Sequence, residues 1–510
     1  MMKQTVLTVA LALVASAATA EVKLARIFGD HMVLQRGKPI HVWGRAEPGE
    51  ELTVSFKGQK VTAKARKDGR FRATLAPLEV EKKGQTLEVA GSSVVTLKDV
   101  LVGDVWLVSG QSNAEMTFRT GVINGKEAVE STKDFPNIRQ TKFNHVKSVF
   151  PSTYNTCNGG WRIANKWALS DITAVGYYMA REINRETGIP IGILDNNWSG
   201  CKIEPFVCEE GLKSVPELKD GYEAFLKARQ STVDWCCKVA AQKESGDFGD
   251  VGMMPDPGLW TTQYNAMVEP IVHFPITGVA WYQGCSNGNE GMSYVHKLKA
   301  LVNGWRAKWG YDFPFYIVQL ASLGPASDDP AGGTGFAKTR NAQRIAAQTI
   351  PKTGLAVAID VGDPKTIHPG NKYDVGVRLS RWALRDVYGR KDLVVSGPMF
   401  REMKVKGDKV RLVFDHVGSG LLVAARPYNE PGVAPKPTAD GKLRGFAVAG
   451  ADKKWFWADA KVDGRDVVLS AKEVPNPVAV RYAYRANPMG ACNLYNKEGL
   501  PAVPFRTDEW

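Results

Sequence analysis

The sequence predicts an α/β protein: a three-layer unit built on a parallel sheet, flanked by an N-terminal and a C-terminal β-rich domain. From residue 101 to 390, short apolar runs alternate with stretches whose apolar residues recur at three and four. That pattern of strands interleaved with helices implies a parallel sheet covered on both faces. On either side the helical period vanishes, and alternating runs are broken by turn dipeptides. The chain has 510 residues, too many for one ordinary core, so several domains are expected.

Residues 1–20 read as a secretory signal. Lys3 supplies a positive start, Val6 to Val14 an apolar run, and Ala18-Thr19-Ala20 a small-residue cleavage pattern. The mature chain is expected to begin at Glu21 and to be secreted or periplasmic, in a bacterial setting. No later stretch approaches the roughly 18 apolar residues that span a bilayer, so membrane insertion is not expected.

Residues 21–100 form the first β-rich domain, sandwich-like in its patterning. Leu52-Thr53-Val54-Ser55-Phe56 alternates apolar with polar, while Pro48-Gly49 and Asp68-Gly69 mark turns. In the 101–390 unit, strands are expected at 105–108, 191–194, 278–282, 315–320 and 355–361. Helices are expected at 172–187, 292–309, 336–348 and 371–388. Leu298, Leu301, Val302, Trp305 and Trp309 carry the helical period in one, and Val375, Leu379, Trp382, Ala383 and Val387 in another, which ends at Gly389. A polar, partly helical insertion near 204–262 is either a substrate wall or tolerated surface. From 391 to 510 strand signals return, as in Met403-Lys404-Val405-Lys406, the turn Gly407-Asp408, and then Val410, Leu412 and Phe414.

Hydrophobic residues make up 44% and charged residues 23%, the balance of a globular chain with a packed core. Lys and Arg number 66 against 53 Asp and Glu, a surplus that would favour anionic ligands. The basic residues are dispersed, with neither a long run nor an aromatic-basic array. Nucleic acid is therefore not an expected partner, and the charge leans towards acidic glycans. The seven cysteines, Cys157, Cys201, Cys208, Cys236, Cys237, Cys285 and Cys492, leave at least one thiol unpaired. None forms a CxxC pair or has a His at ligand spacing, so no metal and no cofactor is expected.

Chemistry is expected at the carboxyl ends of the strands, where open α/β sheets place it. The run Val105-Trp106-Leu107-Val108 leads through Gly110 to Ser112, a candidate nucleophile or a helix N-cap. A serine hydroxyl needs a neighbouring base, and His368 occupies a strand-to-helix loop on the same edge. Asp363 and Asp360 are candidates to orient that imidazole, and either could instead cap the loop. Two further strand ends, Asn196 to Cys201 and Gln283 to Asn287, carry possible oxyanion donors: the Gly200 N–H and an amide from Gln283 or Asn287. Trp106, Trp281 and Tyr282 could stack on sugars, although buried strands favour core packing.

Several motifs now stand in order: Gly103-Asp104-Val105-Trp106, Ser109-Gly110-Gln111-Ser112-Asn113, Trp281-Tyr282-Gln283-Gly284-x-Ser286-Asn287 and Ile367-His368-Pro369. Together they resemble the sialate O-acetylesterase family of SGNH-like hydrolases. Asp30 to Gln35, Tyr264 to Met267 and Asn493 to Asn496 extend the resemblance over nearly the whole mature chain. It implies an SGNH/flavodoxin-like central domain and a metal-free serine esterase that removes acetyl groups from sugar hydroxyls, with Ser112 as nucleophile and His368 as general base, then acid. The Ser112 N–H, Gly200 and a polar side chain of the Gln283 to Asn287 loop would form the oxyanion hole. The expected substrate is an acetylated carbohydrate, either sialic acid or plant cell-wall polysaccharide.

The chain departs from the family at Cys285, where many members have Glu, and at Lys365, three before the histidine, where many SGNH hydrolases have Asp. The second departure leaves a Ser-His dyad open beside a triad completed by Asp363. The first raises two possibilities for Cys201 and Cys285, a disulfide bordering the site or two small buried thiols. It also keeps open a non-catalytic glycan-binding protein on a degenerate esterase scaffold. A lipase or thioesterase would need an apolar acyl pocket, whereas the neighbours of Ser112 are polar, and the stretch lacks the second glycine of the GxSxG elbow.

Overall fold

A computed structural model describes residues 21–153, 157, 160–165, 167–245, 253–255 and 258–510. The expected signal segment, 1–20, lies outside the described residues. The central sheet is built on β1 (Val94–Gly110), β2 (Ile138–Lys142), β3 (Ile191–Asn197), β4 (Gly278–Tyr282), β5 (Phe315–Val318) and β6 (Thr353–Ala356). Their order is β2-β3-β1-β4-β5-β6, all parallel. Arg162–Ile163 pairs antiparallel with β2 at the edge.

The first strand sits in the middle, and the chain leaves it towards one side for β2 and β3 and returns on the other for β4. That reversal is a topological switch point, where the crevice above the strand ends opens. Gly110 is in register with Asn197 on one side and Tyr282 on the other, so three strands end flush beneath Ser112.

Alternate residues of β1 feed two cores. Val105 and Leu107 pack with the helix α4 (Met292–Trp309) and much of α5 (Ala337–Thr349). Trp106 and Val108 pack with α2 (Ala174–Thr187) and α6 (Lys372–Asp386), on the other face. The expected helices at 172–187, 292–309, 336–348 and 371–388 are these four. The insertion carries α3 (Lys219–Ser245).

The strand expected at 355–361 ends its ladder at Ala356, and the chain continues to Val361 as buried, irregular backbone. The strand β2 gave no apolar signal because Arg139, Gln140 and Thr141 are polar, yet all three are buried between its neighbours.

The boundary expected at 100 falls inside β1, a single 17-residue strand. Its first half pairs with Glu81–Ala90 of the N-terminal module, and its second half forms the central sheet. Leu34, Val54 and Phe71 of that module share one continuous core with Phe206, Trp281 and Trp305. Beyond 391, Val410, Leu412, Val448, Val467 and Phe505 form a separate β core.

Candidate active site

Ser112 is the first residue of α1 (Ser112–Glu115), a one-turn helix that follows β1 through Gly110 and Gln111. Gly110 has φ +141°, and a Cβ there would stand 2.2 Å from the Tyr282 carbonyl oxygen. Only glycine meets both demands, and the tight turn lifts Ser112 above the sheet. Gln111 pins the facing loop, since its Oε1 accepts the N–H groups of Gly284 and Cys285, each at 2.9 Å. Ser286 Oγ donates to the Gly200 carbonyl at 3.1 Å, so the loops after β1, β3 and β4 are tied together.

His368 arrives from the loop after β6, just before the Asn371 cap of α6. Its Nε2 lies 2.7 Å from Ser112 Oγ, across a sequence separation of 256 residues. Burial, and then the charge of Lys372, hold the imidazole below its ordinary pKa of 6.5, which favours the neutral, proton-accepting form.

No carboxylate among the described residues is joined to His368. The Asp363 carboxylate lies beside Tyr428 and accepts the Lys365 N–H at 2.8 Å, the turn-capping job common for Asp beside Gly and Pro. Asp360 is held by both Nη atoms of Arg378, at 2.6 and 2.8 Å, in a nearly buried pair. The structure thus brings Ser112 and His368 together and leaves Asp363 apart.

Gln283 and Asn287 are also placed differently from the expected oxyanion donors. Gln283 Nε2 donates to the Cys201 carbonyl and to Asn287 Oδ1, and Gln283 Oε1 accepts from Tyr294. The Asn287 amide donates to Glu204 and Glu290. Both side chains are buried, and their N–H groups are spent inside the scaffold. The N–H of Ser112, in the first turn of α1, has no intrahelical acceptor, and Gly200 is an exposed turn residue at φ +74°.

Both thiols are free: Cys201 Sγ donates to the Gly110 carbonyl at 3.5 Å, and burial pushes the Cys285 thiol up to about 11. Trp106, Trp281 and Tyr282 are core residues, at most 2% exposed.

Four residues of the site escaped sequence reasoning. Glu115 accepts from Ser199 N–H and Oγ and faces His145 and Lys142. His145 in turn stacks on Trp198, with centroids 4.7 Å apart and planes at 13°. Asn113 and Lys372 bind one another behind the Ser-His pair. Asn113 and Glu115 stood in or beside the nucleophile motif, and that adjacency was the available signal. Lys372 carried none.

No family model matches the chain. A solved carbohydrate acetylesterase from Xanthomonas citri is 34% identical, with 96% of this chain and 100% of that one covered and a TM-score of 0.81. The sialate O-acetylesterase of Mus musculus is 27% identical over 535 residues, covering 95% of this chain and 94% of the relative. The chain belongs to the sialate O-acetylesterase family. The family's Homo sapiens sialate O-acetylesterase is 26% identical over 537 residues, covering 95% of this chain and 92% of the relative. Asp104, in the first of the motifs read from the sequence, is a clamp rather than a site residue: it accepts from Gln35, Arg36 and Thr277, which fastens the N-terminal module to the central sheet.

Proposed function

We propose that this protein deacetylates carbohydrates through an acetyl-enzyme on Ser112, with His368 as the only proton carrier. Family membership makes it a carbohydrate O-acetylesterase. The 2.7 Å contact between Ser112 Oγ and His368 Nε2, above the switch point of a parallel sheet, carries the mechanistic reading. His368 accepts the serine proton as Oγ attacks the acetyl carbonyl, and the oxyanion forms against the N–H groups of Ser112 and Gly200. Collapse breaks the bond to the sugar oxygen, which takes the proton back from His368 and leaves as the sugar hydroxyl. A water molecule, deprotonated by the same imidazole, then frees acetate.

The two cores on opposite faces of β1 favour the three-layer, SGNH-like reading of the central unit. Export is proposed from the signal-like 1–20 segment. The substrate is proposed to be an O-acetylated sialic acid or plant cell-wall polysaccharide. Among the described residues no helix is long and apolar enough to cross a membrane.

The test is acetate release from acetylated sialosides, xylans and pectins by wild type and Ser112→Ala. Wild type is expected to release acetate from one class. The variant is expected to lose at least about 10³-fold in kcat, as when an acyl-transfer nucleophile is removed. Release that survives in Ser112→Ala sinks the assignment.

A further inference from the structure

We infer that Lys372 is a positioning residue of the acyl-transfer site, bracketing His368 against the nucleophile turn where a carboxylate would otherwise orient the imidazole. The inference rests on the Ser112–His368 reading and assigns a job to a buried group that reading does not use.

The bracket is a closed ring of bonds. Lys372 Nζ donates to Asn113 Oδ1 and to the Pro369 carbonyl, each at 2.7 Å. Asn113 Nδ2 donates to the Ile367 carbonyl at 2.9 Å. Asn113 follows the nucleophile, while Ile367 and Pro369 flank the histidine. One amide and one amine therefore fix the backbone on both sides of His368 relative to Ser112, with the 2.7 Å catalytic contact inside the ring. His368 itself keeps access to solvent, and beyond these bonds its loop is tied to the nucleophile segment by the catalytic contact and by the Ile123 N–H, which donates to the Gly370 carbonyl at 3.0 Å.

The placement of Lys372 is costly. Its side chain is fully buried, and it is the first residue of α6, where the helix macrodipole opposes a cation. The groups facing it are the Cys285 thiol from the β4 loop, the Tyr282 ring at 5.5 Å and His368, with no carboxylate among its described partners. Burial accordingly pushes its pKa down to about 7. An amine and an ammonium both carry enough N–H groups for two acceptors, so the ring of bonds survives either charge state. When charged, Lys372 also helps to keep the imidazole neutral.

Three variants test this with kcat, KM, the pH profile of kcat/KM and thermal melting on the full chain. Lys372→Met is expected to melt cooperatively, to lose about 10²-fold in kcat with KM unchanged, and to move the acid limb of the profile to higher pH. Lys372→Gln, which keeps an N–H donor without the charge, is expected to recover part of kcat while the limb stays displaced. Wild-type kcat with an unmoved limb in Lys372→Met overturns the inference, as does a kcat loss with an unmoved limb and no recovery in Lys372→Gln. Should Lys372→Met fail to fold, Asn113→Ala opens the ring at its other end, and wild-type kcat there overturns it equally. Ser112→Ala separates the two claims: activity surviving in that variant removes the underlying mechanism, whereas a null result at Lys372 removes only the bracket.

Discussion

The chemistry depends on the proton affinity of His368. Partial burial and the nearby Lys372 lower its pKa, and no carboxylate among the described residues opposes them. Because the neutral imidazole is the proposed base, activity is expected above that pKa and is expected to be lost as pH falls through it. The acid limb of kcat/KM in the wild type is therefore expected below pH 6.5, the ordinary histidine value. A limb above 6.5 would show an unseen anion at the imidazole. Cys285, its thiol held protonated, is no rival nucleophile at neutral pH. The serine and histidine were legible because a short polar motif after an apolar run, and a histidine in a strand-to-helix loop, both leave marks in the chain. The roles of Asp363, Gln283 and Asn287 were not legible. Whether a carboxylate caps a turn or faces an imidazole, and whether an amide is free or spent, depends on partners far away in sequence. Gln283 and Asn287 are spent on Tyr294 and Glu204, fixed only when α4 and the insertion pack beside β4.

At the scale of elements, the turn after β1 governs the site. Gly110 joins a positive φ to close approach by the next strand, so a methyl group at this position both strains the backbone and strikes the Tyr282 carbonyl. Gly110→Ala is expected to cost more than about 2 kcal/mol of stability and to abolish acetate release, read by thermal melting beside the activity assay. Wild-type melting and activity would show that the turn has slack. The four main helices were readable from their 3.6-residue period. The strand β2 was not, because a parallel strand covered on both faces needs burial but not apolar side chains: Gln140 donates to the Ala168 carbonyl instead. The ladder of β6 stops at Ala356, although the apolar run continues to Val361, since periodicity reports burial rather than pairing.

Across the whole molecule, the modules are less separable than their patterning suggests. Arg340, fully buried in α5, donates to the carbonyls of Arg485 and Ala486, and Asp374 of α6 pairs with Arg426. Removing residues 391–510 would strand these charges. A chain of residues 21–390 is expected to aggregate or to melt well below the full chain, as checked by size-exclusion chromatography and thermal melting; a monodisperse, fully active fragment would refute this. By itself the sequence determined the alternation of strands and helices, the flanking β patterns, and Ser112 and His368 as the candidate pair, because each is written in local periodicity or in a short motif. The tertiary structure alone decided that one strand runs through two modules, that Asp363 serves a turn, and that a buried lysine joins Asn113 to the histidine loop. Those outcomes depend on which distant groups are left to share hydrogen bonds once water is excluded, and no local pattern in the chain encodes that.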